Sequence, residues 1–381
     1  MNNDFFRTLL TPKKTGSSRL RRISLQHPQY RANIRESQPP SLPLKIGTFS
    51  LLYLAVLAAI SYANYMGPED WWWSCLNAYL PQWAWAAPGF ILLPIALWKA
   101  RRVAFMSVLG LLWVFGPLMG LCWNFHPPHA SDYPDGIPLR ILTYNVNQQA
   151  HNESVLEEIE RNHPDIIIMQ EAEKPLDGNL VPFLRNWNVV FHENGCMTLS
   201  KYPVLHSEWS FIPGFSGRGQ YIRLELLIHK QRVVIYDLHL DTPRKSLTEM
   251  EKDFFGKIPV FQEDIQQRIL KAKTMEELII HEREPVIVAG DFNSPPQSRI
   301  CGILESHGLR DAFSAVGRGY GYTYGYTIPP YLPYIRIDHI LTDRRVHPIR
   351  CWVGSGRASD HRALIADLIL DPSFPSFPAN K

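Results

Sequence analysis

Between Ile46 and Trp123 the chain is almost free of charge, and this limits what that part of the molecule can become. The charged exceptions are Glu69, Asp70 and the cluster Lys99, Arg101 and Arg102. Three runs within it have bilayer-spanning length and composition, at about 46–66 (IGTFSLLYLAVLAAISYANYM), 83–99 (ending FILLPIALWK) and 103–123 (VAFMSVLGLLWVFGPLMGLCW). Trp71, Trp72 and Trp73, with Trp98 and Trp123 at segment ends, fit the aromatic belts of membrane interfaces. Pro88, Pro94 and Pro117 are costly in soluble helices but better tolerated in spanning ones. A cleavable signal peptide does not account for the pattern, because residues 1–45 precede the first run and two further runs follow it.

Basic residues set the expected orientation. Residues 1–45 hold nine Lys/Arg against Asp4 and Glu36, and a second basic cluster closes the turn at Lys99–Arg102. Both belong on the cytoplasmic side, and the loop with Glu69 and Asp70 belongs outside. Three spans then place the rest of the chain on the outer face, periplasmic or extracellular if the membrane is a bacterial cytoplasmic one. The arm reads as a solvated tail that sets topology, with binding to anionic headgroups as the sharper alternative.

Residues 124–138 contain four prolines among polar neighbours and read as a linker. A catalytic domain is expected over 139–371, followed by a tail at 372–381. Residues 136–381 hold 27 Lys/Arg against 30 Asp/Glu, so their bulk charge gives no support to binding long nucleic acid. Cys75, Cys122, Cys196, Cys301 and Cys351 form no CxxC pair or zinc-like spacing. Short runs rich in Val, Ile, Leu and Tyr recur, among them LRILTYNV, DIIIMQ, RVVIYDLHL, PVIVAG and ALIADLIL. Ser154–Asn162 and Asp264–His281 have helical apolar spacing, the second with Ile265, Ile269, Leu270, Met275, Leu278 and Ile279 on its expected buried side. Many strands without a regular βαβ rhythm suggest two packed sheets flanked by helices.

Six motifs put polar residues at the ends of these runs: ILTYNVN with Asn145, IIIMQE with Glu171, VVIYDLHLD with His239 and Asp241, VIVAGDFNSPP with Asp291 and Asn293, IRIDHIL with Asp338, and ASDHRAL with Asp360 and His361. Singly, each is an ordinary turn, surface or core residue. Cleaving a phosphate ester needs a positioned nucleophile, charge on the equatorial oxygens and help for the leaving oxygen. Carboxylates suit a hard divalent cation for the second task, and the lack of a Cys/His cluster argues against zinc.

In order and spacing these motifs resemble the endonuclease/exonuclease/phosphatase superfamily, which includes pancreatic-type deoxyribonucleases, abasic-site endonucleases, neutral sphingomyelinases and inositol-polyphosphate 5-phosphatases. The resemblance spans about Leu139 to Leu370, with GDFN and SDH its most specific parts. It implies a four-layer α/β sandwich, here preceded by an N-terminal helical membrane region. It also implies Glu171 as principal metal ligand, Asn145 nearby, and Asp360 contributing directly or through water, with Mg2+ or alternatively Mn2+ as the ion. Asp291 would help activate water, the Asn293 amide would donate to the phosphoryl group, and Asp338 would fix the tautomer of His361 beside the scissile phosphate. His239 would hold a phosphate oxygen or assist the leaving group. Whether His361 or Asp291 is the general base stays open.

Asp291 and Asn293, two apart on an extended segment, are expected to face one side. His339 reads as structural and Asp241 is ambiguous. Arg218 and Arg336 are equally suited to phosphate contact or ion pairing, and the Tyr-rich stretch Gly319–Tyr334 to a substrate rim or loop packing. The substrate expected is a phosphate ester, either a lipid headgroup favoured by the tether or nucleic acid, with no organic cofactor. A non-catalytic membrane adaptor is the third reading, disfavoured by the intact set of polar residues.

Overall fold

The computed structural model describes residues 41–148, 153–172, 180–192, 194–215, 219–325, 332–354 and 359–372. The basic arm, Arg218 and the centre of the Tyr-rich loop (326–331) lie outside the described residues.

The first helices form a small bundle: α1 (Leu42–Met66), α2 (Trp72–Ala78), α3 (Ala87–Lys99) and α4 (Ala104–Trp113). Two helical segments, Leu42–Met66 and Arg101–Leu118, are long and apolar enough to cross a membrane. Trp72–Ala78 and Gln82–Lys99 pass that test together but bend by 100° at their break, so the number of spans is two or three. The break falls at Pro81, which cannot donate a helical hydrogen bond. The third run kinks where Gly116 leaves helical geometry ahead of Pro117, and ends at Leu118.

The rest is a two-sheet sandwich. Strand β1 (Cys122–Trp123) is set apart and pairs with β11 (Arg318–Gly319). The first sheet contains β2 (Ile137–Asn145), β3 (Ile166–Gln170), β4 (Asn188–His192), β5 (Cys196–Ser200), β13 (Val346–Val353) and β14 (Leu364–Leu370), in the order β13-β14-β2-β3-β5-β4. The second contains β6 (Val204–Phe211), β7 (Gln220–Ile228), β8 (Gln231–His239), β9 (Val286–Asp291), β10 (Arg310–Asp311) and β12 (Asp338–Thr342), in the order β10-β12-β9-β8-β7-β6. Helices α5 (Glu153–Asn162) and α6 (Leu180–Leu184) accompany the first sheet. Helices α7 (Arg244–Lys252), α8 (Ile258–Ile280), α9 (Arg299–Glu305) and α10 (Ala312–Val316) accompany the second.

Alternation along β8 builds the layers. Val233 and Ile235 enter the core between the sheets, where Ile141, Ile168, Leu224 and Ile287 meet them. Val234, Tyr236 and Leu238 point the other way, onto Phe261, Ile265 and Met275 of α8. A third cluster joins Leu142, Tyr144 and Ile167 to Val155 and Ile159 of α5. Helix, sheet, sheet, helix is the four-layer α/β sandwich expected.

Helix α8 departs from the sequence reading in two ways. It begins at Ile258, earlier than expected, because Pro259 lies in its first turn, where a missing N–H costs nothing. Leu270, expected inside, is 44% exposed, while Arg268 and Lys271 are buried. The inward stripe runs through Ile265, Arg268, Ile269, Lys271, Ala272, Met275 and Ile279, and the two cations on it are held by polar partners.

The helical bundle packs directly on the sandwich. Cys75 of α2 joins the core beneath α8. Arg299 reaches Asp70 at 2.7 Å, and its backbone N donates to Glu69 at 2.8 Å. In the segment read as a linker, Asn124 donates to the Gly317 carbonyl at 2.8 Å, and β2 begins at Ile137.

Candidate active site

Sheet register brings the motifs to one end of the sandwich. Asn145 and Gln170 are partners at the ends of parallel strands β2 and β3, and Glu171 follows immediately. Asp291 ends β9 with His239 of parallel β8 on one side and Asp338 of antiparallel β12 on the other. Ser359 ties the SDH segment to this edge, donating to the Asn145 carbonyl at 2.8 Å and accepting from the His361 backbone N at 3.1 Å.

Glycine is required immediately before Asp291. Gly290 has φ +147°, and a Cβ there would lie 2.0 Å from the Leu238 carbonyl oxygen. The chain turns sharply after Asp291, burying Phe292 against the His339 ring at 5.0 Å. Asn293 takes a left-handed φ of +50°, so the segment is not extended as the sequence suggests, although the two side chains still meet. Glu171, at φ +51°, is a second left-handed residue. Two non-glycine residues in this region at one site are backbone strain held by surrounding hydrogen bonds.

Those bonds form a closed network. Asn145 Nδ2 donates to Asp291 Oδ2 at 3.1 Å and to Glu171 Oε1 at 3.3 Å. Asn293 Nδ2 donates to the Leu240 carbonyl at 2.9 Å and to Asp291 Oδ2 at 3.2 Å, and its backbone N donates to Asp291 Oδ1 at 2.8 Å. Both amide protons of Asn293 are thus directed at Leu240 and Asp291, so the side chain braces Asp291. His239 Nε2 lies 3.9 Å from Glu171 and 3.8 Å from Asp291. His361 Nδ1 meets Asp338 at 2.9 Å, leaving Nε2 3.8 Å from Asp291.

Burial raises the pKa of Asp291, with His361 opposing the shift. Burial also works against charge on His361, but Asp338 and Asp291 outweigh it and hold its pKa at about 9. The two neighbouring acids thus favour the charged form of His361.

The donor set fits a hard cation. Among the described residues, neither Glu171 nor Asp291 pairs with a Lys or Arg, although one amide nitrogen serves both. The Glu171 side chain is 40% exposed, so its oxygens are open to solvent. Glu171, Asn145 and Asp360 offer oxygen ligands of the kind Mg2+ prefers. Asp291, Asp338 and His361 also present ligand atoms within 4.8 Å of one another. We read that group as a charge-paired triad, since the imidazole already shares its Nδ1 with Asp338.

Several site neighbours carry no strong signal in the sequence. Arg244 donates to the Tyr324 hydroxyl at 2.9 Å and lies 3.9 Å from Asp360, while the Tyr324 ring packs on His361 at 4.8 Å. Tyr320 and Tyr322 donate to the Phe115 and Met119 carbonyls at 2.7 and 3.0 Å, so the described part of the Tyr-rich loop spans from the site to the helical bundle. Tyr79, just past α2, donates to the Asn293 carbonyl at 3.1 Å and accepts from Arg268 at 2.8 Å. Arg268 itself donates to the Asn293 carbonyl at 2.6 Å.

Other candidates turn away from the chemistry. Asp241 pairs with buried Lys271. Arg336 pairs with Asp311 at 2.8 Å, and His339 joins them, with Asp311 at 3.0 Å and the Ser294 carbonyl at 2.9 Å. A cavity of about 880 Å3 between bundle and sandwich, lined by Tyr65, Trp113, Leu121, Pro296, Tyr322 and Ile335, includes none of the site carboxylates.

A two-sheet sandwich with carboxylates, amides and histidines gathered at its strand ends is the frame of a metal-dependent hydrolase of phosphate esters. The sequence profile of the Endonuclease/Exonuclease/phosphatase family matches residues 142–361, more than half of the chain, and the protein belongs to that family. No curated protein matches. Among solved structures, the chain is similar to the endonuclease/exonuclease/phosphatase from Bacteroides vulgatus, at 18% identity over 61% of this chain and 99% of that one, with a TM-score of 0.48. It is similar to D. rerio TDP2 complexed with single strand DNA product, at 18% identity over 61% and 98%, with a TM-score of 0.47. The human Nocturnin catalytic domain with bound sulfate anion is 19% identical over 61% and 94%, with a TM-score of 0.45.

Proposed function

We propose that this protein is a membrane-anchored, Mg2+-dependent phosphoesterase acting on a phosphate ester at the membrane surface, a lipid headgroup in the first instance. The observation that carries the reading is the docking of the helical bundle on the back of the site, where Tyr79 bonds the backbone of Asn293. A tether on a free linker would need no such contact.

Charge placement supports three spans with the sandwich on the outer face. Ile46, near the start of α1, packs with Ala96 and Ala104, which brings Lys45 to the same end of the bundle as Lys99, Arg101 and Arg102. Glu69 and Asp70 lie at the other end, against Arg299 of the sandwich. This is the distribution of a positive cytoplasmic end and a neutral or acidic outer end.

In the proposed reaction Asp291, held by Asn145 and Asn293, takes the proton of the attacking water. Asp338 fixes His361 so that Nε2–H faces a phosphoryl oxygen, and His239 holds another oxygen or assists the leaving group. A divalent cation held by Glu171, Asn145 and Asp360, Mg2+ or in its place Mn2+, supplies when bound the positive charge that the equatorial oxygens require.

The test uses the full chain in lipid nanodiscs with Mg2+, offered phospholipid and sphingolipid phosphodiesters, inositol phosphates, supercoiled plasmid and single-stranded DNA, with Asp291→Ala alongside. Headgroup release that disappears in the variant is the expected result. Plasmid nicking without headgroup release makes the protein a tethered nuclease and overturns the lipid reading.

A further inference from the structure

Helices α7 and α8 are joined by a short turn carrying Phe254 and Phe255, which are 42% and 80% exposed. Phe255 is the most exposed large apolar side chain among the described residues of the sandwich. The turn is a built one. The Gly256 backbone N donates to Asp253 Oδ1 at 3.0 Å, and the Lys257 N to the Asp253 carbonyl at 3.1 Å. Two aromatic rings are thus held outward on a fixed backbone, where a soluble surface would place polar groups.

Their neighbours indicate what covers them. The Phe254 ring meets the edge of Trp72 at 5.7 Å, and Phe255 meets Phe254 at 5.3 Å. Trp72 opens α2, only a few residues beyond the end of α1 at Met66. Beside it Trp71 and Trp73 stack at 6.0 Å and are themselves exposed, as is Tyr65 in the last turn of α1. Exposed aromatic side chains thus occur both where the apolar helix ends and on the turn of the sandwich that packs against Trp72. Exposed Trp, Tyr and Phe at the end of such a helix suit the interfacial layer of a bilayer.

We propose that the Phe254–Phe255 turn is a second membrane contact, seating both rings in the interfacial layer of the bilayer that α1 crosses. The inference rests on the membrane-spanning reading of α1. Its consequence concerns the active site. Helix α7 runs for nine residues, about 13 Å at the α-helical rise, from Arg244 at the site rim to the turn. The turn and the site rim are thereby joined by one short helix, whose first residue, Arg244, meets Tyr324 and Asp360. A phosphate ester carried by a lipid lies within that reach.

The experiment places nitroxide spin labels on the full chain in phosphatidylcholine–phosphatidylglycerol vesicles, using Phe255→Cys, Tyr65→Cys and Val189→Cys separately in a Cys122→Ser background. Val189, on the edge strand β4, is the aqueous reference. Accessibility is read as the relaxation ratio between dissolved oxygen and a water-soluble nickel chelate. The expected result is oxygen-dominated relaxation at 255 and 65 and nickel-dominated relaxation at 189. A nickel-dominated label at 255 with an oxygen-dominated one at 65 overturns the turn contact and leaves the spans standing. Nickel dominance at all three positions overturns the membrane reading, and the turn contact with it.

Discussion

The helical bundle and the sandwich solve the burial problem in opposite senses. In the sandwich, apolar side chains such as Ile141, Ile168, Val234 and Val288 are fully enclosed between layers. In the bundle only inner seams close, around Leu57, Ala86 and Val114, while Leu51, Leu52, Phe90, Ile91, Phe105 and Leu112 face outward. One is a closed core, and the other leaves an apolar outer surface on helices long enough to cross a membrane. The candidate site lies wholly in the sandwich, and the bundle meets it from behind through the Tyr79 hydroxyl and through the Phe115 and Met119 carbonyls that accept from Tyr320 and Tyr322.

The largest expected effect falls wholly within the sandwich. Asp291→Ala should lower kcat by about 10^3-fold or more, since it removes the proposed base while leaving the outer layers intact. Retained turnover with an unchanged melting profile would displace the site. Next comes Asp311→Asn, which unpairs buried Arg336 and His339. Burial opposes the Asp311 charge, but Arg336 and His339 outweigh it and hold its pKa below the usual carboxylate range. Breaking a buried ion pair of this kind costs about 3–5 kcal/mol, so the variant should melt early in a denaturant titration. A stability within 1 kcal/mol of the parent, roughly that of a surface change, would show that the cluster is not structural.

Glu171→Gln should raise the Mg2+ concentration for half-maximal activity by about 10-fold or more, read by restoring an EDTA-stripped sample. An unshifted titration would move the metal away from Glu171. The smallest effect is a pH dependence. Burial lifts the Asp237 carboxyl to about 7, only partly offset by Gln170 and Thr198. A folded pKa above the unfolded 3.8 means that its contribution is complete below that value and is lost as pH rises through about 7. Asp237→Asn should remove that slope and stabilise the protein by about 1 kcal/mol or more at pH 8 relative to pH 4. Parallel stability profiles for parent and variant would contradict it.

Much of the candidate site was legible in the sequence because each motif sits at the end of an apolar run; register then aligns His239, Asp291 and Asp338 in one sheet, and the packing of the two sheets brings Asn145 to them. The bundle was legible as uncharged length, but its bend near Pro81 and the early stop at Leu118 depend on local geometry that hydropathy does not encode. Arg268 and Lys271 were missed because polar residues on a helix are read as outward, although Arg268 lies three residues after Ile265 and Lys271 four before Met275, both on the inner stripe. Tyr79 and Arg244 had no local signal, since each acts through a partner far away in sequence, whereas Tyr324 lies in the Tyr-rich stretch read as a substrate rim or loop packing.

Whether the bundle supports the chemistry, beyond serving as a tether, is read from Tyr79→Phe in the full chain. Assayed on a small soluble phosphodiester, where anchoring is irrelevant, the variant loses the Tyr79 hydroxyl's bonds to Arg268 and to the Asn293 carbonyl, while the direct bond from Arg268 to that carbonyl remains. The account predicts a kcat about 10-fold lower with KM little changed, the cost of roughly one buried hydrogen bond. Parental kcat in a folded variant would contradict it and reduce the bundle to a tether.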